Sequence, residues 1–500
     1  MMLALLIALP LLGGLLTWWL EGAERAVRWV AVGTLALTLI VLAIAWGGQG
    51  TAFPPAGAWL AELDWAWIPR FGIRFHLGLD GLSLVLIALT LLLGLVGVAA
   101  SWTEIRERVG FFHFNLLWTV AGVVGVFLAL DLFLFFFLWE VMLVPMYFVI
   151  ALWGHEDRGP AAVKFFIFTQ GSGLLLILGI LVLVFLHHGA TGTWSFDYLD
   201  LRSTPVDSGL AFWAMLGLFL AFGVKLPAVP VHTWLPDAHT QAPTAGSVLL
   251  AGILLKTGAY GLMRFTIPLF PEASLAFAPV AMGLGVASIL YGAVQAFAQD
   301  DFKRLVAYSS ISHMGFVLVG LYAWNVWALQ GVVMQIVAHG LSTGALFMVA
   351  GLLQERLHTR SMERMGGLWS SVPRLSAFTL LFVVASLGLP GLANFVGEFL
   401  VLLGAFAEYP VFTVLAAVGL VGSLLYTLLL VQKSLHGPLG PARTTTDLGT
   451  REAATLAVLV VGLVWLGLAP QPVLGVAEPA LHALLRMTET GASLTPGAAP

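Results

Sequence analysis

Four ionisable side chains lie deep inside apolar stretches of this chain: Glu140 in FLWEVMLVP, Lys225 in AFGVKLP, Lys256 in AGILLKTGAYG and Glu398 in NFVGEFLVLL. Each costs about 2.5 to 3.5 kcal/mol at the centre of a membrane-spanning helix unless it is paired, hydrated or neutralised. Two acids and two bases at such depth can exchange protons. Their number and separation favour a chain of carriers, since one pair would suffice as a clamp, and static ion pairs fastening helices together are the alternative. His313 in SSISHMGFV and His339 in QIVAHGLST extend the set. A neutral imidazole accepts a proton on one nitrogen while holding one on the other, so each could relay protons or be an ordinary hydrogen-bonded core histidine. Tyr308, Ser309, Ser310, Ser312, Thr257, Ser342 and Thr343 could hold water between these groups.

The elements that must position these groups are membrane helices. Of 500 residues, 60% are hydrophobic and 10% charged, with a mean hydropathy of +0.97, far from the quarter-charged makeup of soluble domains. Apolar runs near the length that spans a bilayer recur throughout, and fourteen spans are expected. The first, MMLALLIALPLLGGLLTWWL, lacks a basic start and a small-residue cleavage site and reads as a retained helix. The seventh span, 209–235, contains GVKLPAVPVHTWLPD, where Pro227 and Pro230 must break the helix just past Lys225 and make room for water. The twelfth, 377–406, contains GLPGLANFVGEF, where Pro390, Gly391 and Asn394 interrupt it just before Glu398. Two broken helices five spans apart, each with a charge at the break, predict an all-α polytopic membrane protein with two inverted five-helix repeats, helices 4–8 and 9–13. The expected organisation is 1–109 with an external loop at 48–79, a first repeat at 110–266, a second at 275–433, a last span at 452–470 and a tail at 471–500 whose end, GASLTPGAAP, reads as disordered.

Basic residues orient the whole. Fifteen of the 22 lysines and arginines fall in loops after odd-numbered spans and five on the opposite face, with Lys225 and Lys256 inside spans; both termini are therefore expected outside the cytoplasm. The chain has no cysteine, which excludes disulfides and thiolate-bound iron–sulfur clusters. No phosphate loop, dinucleotide fingerprint or HExxH spacing is present. The histidines of VHTWLPDAHTQAP are too interrupted by proline for a helix-face metal site.

The stretches FFFLWEVMLVPMYFVIALWG, KLPAVPVHTWLPDAHTQAPTAGSVLLAGILLKTGAYGL, DDFKRLVAYSSISHMGFV and LGLPGLANFVGEF together closely resemble the antiporter-like proton-translocating subunits of respiratory complex I. The likeness runs from about residue 70 to 435. It implies that Glu140 modulates Lys225, the proton-carrying lysine beside the first break. Lys256 and His313 would be linking groups at the centre, His339 a further relay, and Glu398 the group that exchanges with the far side. Glutamate at 398, where the L- and N-type branches and Mrp-type cation/proton antiporters usually carry lysine, resembles the M-type branch, as does the end of the chain soon after the last span. The resemblance further implies L- and N-type paralogues on either side in a bacterial inner membrane. Quinone, FMN and iron–sulfur clusters would belong to partner subunits, with no cofactor on this chain and no nucleic-acid partner. An Mrp-type antiporter subunit is the alternative. A Glu140/Lys225 pair at about 4 Å would be worth roughly 4 kcal/mol at an effective dielectric of 20, enough to switch the lysine's hold on its proton.

Overall fold

The computed structural model describes residues 1–47, 58–437 and 445–492. Among these, thirteen helices are long and apolar enough to cross a membrane. They are α1 (Met2–Trp19), α2 (Glu24–Gly47), α3 (Gly81–Glu104), α4 (Val109–Leu128), α5 (Leu132–Trp153), α6 (Arg158–Thr191) and α7 (Ser208–Lys225), then, after a short helix α8 (Trp234–Gln241), α9 (Thr244–Leu269), α10 (Pro271–Phe297), α11 (Phe302–Leu321) and α12 (Val326–Leu357), and finally α15 (Pro410–Leu435) and α16 (Thr450–Leu468). The expected span at 377–406 is two shorter helices, α13 (Pro373–Leu387) and α14 (Ala393–Glu408). Gly388 and Gly391 occupy the left-handed region between them, at φ +83° and +95°, a conformation open to glycine at no steric cost. Several helices start where the sequence supplies a cap. Asp80 accepts from the Ser83 amide, Asp131 from those of Phe133 and Leu134, Asp301 from Arg304 and Asn325 from Ala328.

Two expectations are corrected. The segment 48–79, expected as an external loop, is not merely a loop: Ala61–Ile68 (β1) and Ile73–Leu79 (β2) form an antiparallel hairpin, while residues 48–57, with Pro54 and Pro55, lie outside the described residues. The tail beyond the last span begins with a helix, α17 (Gln471–Ala492). Leu474, Ala477, Leu481 and Leu484 are buried along it, a stripe of helical spacing too polar on its other face to register as a span. The disorder expected in GASLTPGAAP falls mostly on 493–500, outside the described residues.

Side-chain contacts sort the connections onto two faces. On one, Asp197 between α6 and α7 meets His76 of the hairpin and bridges to Asp131 ahead of α5, and Val476 of α17 lies against Gly81. On the other, Lys164 and Arg304 share Asp237, Arg360 pairs with Asp301 at 2.9 Å, and Asp447 accepts from the amides of Arg374 and Leu375. The most enclosed spans are α9 and α12. Those two carry Lys256 and His339.

Candidate proton-relay site

Lys256 sits in the short α-helical middle of α9, between π-helical turns at Leu250–Leu254 and Leu262–Thr266. Such insertions recur at functional sites. Its ammonium, fully buried, donates to the Ala251 carbonyl within the first of these turns and to Nδ1 of His339 on α12, at 2.6 Å. An acceptor at Nδ1 leaves the His339 proton on Nε2, which has no protein partner among the described residues. The rings of His339 and His313 are 5.7 Å apart. His313, on α11, approaches Glu398 with Nδ1 at 2.8 Å, while its Nε2 meets the hydroxyls of Ser386 at 3.1 Å and Tyr426 at 3.3 Å. Gln335 donates to the same Glu398 oxygen at 3.0 Å.

Close helix packing fixes these distances. A Cβ on Gly397, beside Glu398, would meet the Gln335 backbone at 2.6 Å, and one on Gly331 would meet the Val401 amide at 2.4 Å; α12 and α14 therefore touch backbone to backbone, as small residues allow in lipid. Asn394, donating to Ser342 at 3.1 Å, ties the start of α14 to α12. At the other break, the Trp234 indole donates to the Val224 carbonyl at 2.9 Å and Ser288 accepts from the Val229 amide. The break is thus supplied with partners for the backbone groups it frees.

Lys225 ends α7 at this break. Its Nζ is buried with no hydrogen-bond partner among the described residues, 5.2 Å above the Trp139 ring and 5.6 Å from that of Phe165, faces that attract a cation. Glu140 follows Trp139 on α5. Its carboxylate lies against Gly173 of α6, where a Cβ would come within 2.5 Å of it, with Gln170 as a polar neighbour. Glu140 acts on Lys225 through its charge and not through a hydrogen bond.

Residues 129–425 match the family described as NADH:quinone oxidoreductase/Mrp antiporter, TM. The chain is 54% identical over 493 residues to NADH-quinone oxidoreductase subunit M of Pseudomonas aeruginosa and 52% identical to that of Escherichia coli K12, with 96% of this chain and 97% of each relative covered. The chain belongs to the subunit M family of NADH-quinone oxidoreductases. A chain of respiratory complex I from Thermus thermophilus superposes with a TM-score of 0.87 at 31% identity, covering 98% of this chain and all of that one. A chain of the Mrp complex from Dietzia, at 21% identity, matches with a TM-score of 0.85 over 99% of both chains, a likeness of fold alone.

In this subunit M family member, the six residues singled out from sequence fall into two groups. Lys256, His339, His313 and Glu398 form one line, with His339 between Lys256 and His313. Glu140 and Lys225 form the other. The two groups meet at backbone level: Gly258, two residues beyond Lys256, faces the Phe222 carbonyl and the Lys225 carbonyl carbon. Most of the expected water-holding hydroxyls are turned to backbone carbonyls: Thr257, Ser309 and Ser310 bond to their own helices and Ser312 to Ile289. Sequence reasoning missed Gln335, Ser386 and Tyr426. Gln335 was findable, since it stands four residues before His339 on the same helix face. Ser386 and Tyr426 are single polar residues in apolar runs and carry no such signal. Among the described residues no group of three His, Asp or Glu converges as a metal site.

Proposed function

We propose that this chain is the M-type proton-translocating subunit of an NADH:quinone oxidoreductase in a bacterial cytoplasmic membrane. It would be flanked by L- and N-type paralogues and driven by quinone reduction in partners that hold FMN and iron–sulfur clusters. The observation that carries this is the buried line Lys256, His339, His313, Glu398, hydrogen-bonded at both ends and lying across two adjacent packed helix pairs. The Lys256 ammonium points its proton at His339 Nδ1; as that nitrogen takes it, the Nε2 proton is released toward His313. His313 in turn faces Glu398, the carboxylate beside the second break. A proton therefore moves without any side chain travelling far. Moving a charge against 100 mV costs about 2.3 kcal/mol, so the line must be loaded in one direction only.

Glu140 and Lys225 supply the switch. An ammonium held by ring faces and a distant carboxylate, with no hydrogen bond of its own, keeps its charge only while that carboxylate stays ionised and near. Movement of the Glu140 carboxylate across the face of α6 then transfers the Lys225 proton toward Lys256. The proposed organisation is two inverted repeats, 110–266 and 275–433, each contributing one break. The basic-rich face carrying Arg304 and Arg360 is assigned to the cytoplasm and the hairpin face to the outside. An Mrp-type cation/proton antiporter shares the fold, but the identity to named relatives favours the oxidoreductase. The test is NADH-driven proton uptake in vesicles holding the assembled complex. Lys225→Ala or Lys256→Ala should stop uptake while assembly on native gels persists; full pumping by both variants would overturn the proposal.

A further inference from the structure

The buried stripe of α17 ends in a methionine. Leu474, Ala477, Leu481 and Leu484 are buried along the helix, and Met487, three residues further on, is half-buried. Its sulfur faces two donors, the Tyr198 hydroxyl at 3.8 Å and Nη1 of Arg202 at 3.7 Å. Both belong to the short helical turn Tyr198–Leu201 and its cap, where the Arg202 amide donates to the Tyr198 carbonyl at 3.0 Å, and residues four apart in such a turn share one face. Asp197 starts that turn by accepting from the Leu199 amide, and it also meets His76 of the hairpin. The two donors are therefore held in place from outside α17. Beside the sulfur lies a cavity of about 70 Å³ whose lining includes Tyr198, Arg202, Pro479, Ala483 and Met487. About 10 to 15 Å³ admits a water, so a peroxide molecule fits.

A thioether is a weak acceptor, and two donors, one of them a guanidinium, exceed what it can use. A sulfoxide oxygen is a far better acceptor. Of the 13 methionines, all but Met1, Met2 and Met487 are buried, and Met1 and Met2 stand at the start of the chain without such donors. We propose that Met487 is an oxidation site, and that its sulfoxide fastens α17 to the turn at Tyr198–Leu201. One oxygen of hydrogen peroxide bonds to the sulfur, which gives up two electrons; the O–O bond breaks and the other oxygen leaves as water. The new oxygen points into the cavity and accepts from the Tyr198 hydroxyl and the Arg202 guanidinium. A sulfoxide formed inside a core disrupts it, because a polar group replaces an apolar one. At Met487 the partners already stand at the sulfur, and the sign is reversed. Because the donors line the same cavity, the oxygen is added on the side of the sulfur that faces them, which gives one of the two sulfoxide epimers.

The test treats the assembled complex with hydrogen peroxide and follows hydrogen exchange of residues 474–487. Alongside it, the tryptic peptide 487–500, which begins at Met487 and holds no other methionine, is analysed by mass. Peroxide should add one oxygen to this peptide and slow exchange in α17 roughly tenfold, the effect of one hydrogen bond to a charged donor. Each of the two methionine sulfoxide reductases acts on one epimer; one of them alone should restore the 487–500 peptide, while oxidised Met1 and Met2 should need both. Met487→Leu, close in volume and inert to peroxide, should leave α17 exchange unchanged by the treatment. Arg202→Gln combined with Tyr198→Phe should give both epimers at Met487 and no slowing. Should that double variant fail to assemble, the parent and Met487→Leu decide alone. Met487 left unoxidised while Met1 and Met2 react, an equal mixture of epimers in the parent, or faster α17 exchange after oxidation would each overturn the proposal. None of these readouts passes through proton uptake, so the result stands or falls apart from the pumping function.

Discussion

Adding one methyl group to Gly258 should uncouple the two halves of the site. A Cβ there would lie 2.6 Å from the Phe222 carbonyl oxygen, 2.7 Å from the Leu226 amide nitrogen and 3.2 Å from the Lys225 carbonyl carbon. All three are backbone atoms at the break, so no side chain can rotate away. Ordinary contact begins near 3.4 Å, and α9 must therefore retreat from α7 by about 0.8 Å. Overpacking of this kind costs roughly 1 to 3 kcal/mol, too little to prevent assembly of a chain with so extensive a core. Its effect on proton transfer is larger, because a misplacement of about 1 Å can cost about 100-fold in rate. Gly258→Ala should assemble normally and lose between tenfold and 100-fold of NADH-driven proton uptake. Gly217→Ala is the control: a Cβ there meets nothing within 4 Å, and alanine is the better helix former by about 1 kcal/mol. Full uptake by assembled Gly258→Ala would refute the idea that the spacing of α7 and α9 governs transfer between Lys225 and Lys256.

Three further outcomes are expected. Glu140→Ala and Lys225→Ala should abolish coupled uptake, Glu398→Ala should be milder because water can partly replace it near the second break, and Glu398→Lys milder still; complete loss in Glu398→Lys would show that the glutamate's acceptance from His313 and Gln335 is indispensable. His76 of the hairpin is buried, which disfavours its charged form, but hydrogen bonds and charges from Asp197 and Glu62 outweigh this and raise its pKa to about 8. The folded value is raised above the unfolded one, so this contribution, roughly 2 kcal/mol, is complete below about pH 6.5 and is lost as pH rises through about 8; the protection of the amides of residues 61–79, measured against their intrinsic base-catalysed exchange, should fall over that window, and His76→Gln should remove that fall. Reporters inserted at Arg70 and Met362 should label from outside and from the cytoplasm respectively, and labelling of both from one side would refute the assigned topology.

The buried charges were legible because lipid makes them conspicuous: Glu140, Lys225, Lys256 and Glu398 each interrupt an apolar run, and the cost of placing them there demands a purpose. The breaks were legible for the same reason, since Pro227, Pro230 and Pro390 remove donors that a lipid-facing helix cannot spare. What sequence could not convey was partnership. Nothing in QIVAHGLST tells that His339 takes Lys256 as its donor, because that contact depends on the wide turn at Leu250–Leu254, which places the Ala251 carbonyl in reach of an ammonium five residues later. The amphipathic helix α17 and the hairpin were hidden because span counting looks for continuous apolar runs and both present alternating faces.

The same comparison explains why Glu140 and Lys225 do not touch. Opposite charges on neighbouring helices are expected to pair, and in a dry interior a paired ammonium is hard to deprotonate. Here Gly173 leaves room for the carboxylate on α6, and Trp139 and Phe165 take up the space around Nζ. Ring faces favour a cation by about 2 kcal/mol when desolvated, less than a full ion pair would, so the lysine is held without being locked. A direct salt bridge would make a stable clamp, whereas coupling through charge alone leaves a proton that can be released by a modest shift of one carboxylate. On the proposed function, Glu140 and Lys225 would then act as a switch, whereas a direct salt bridge would be a static fastening.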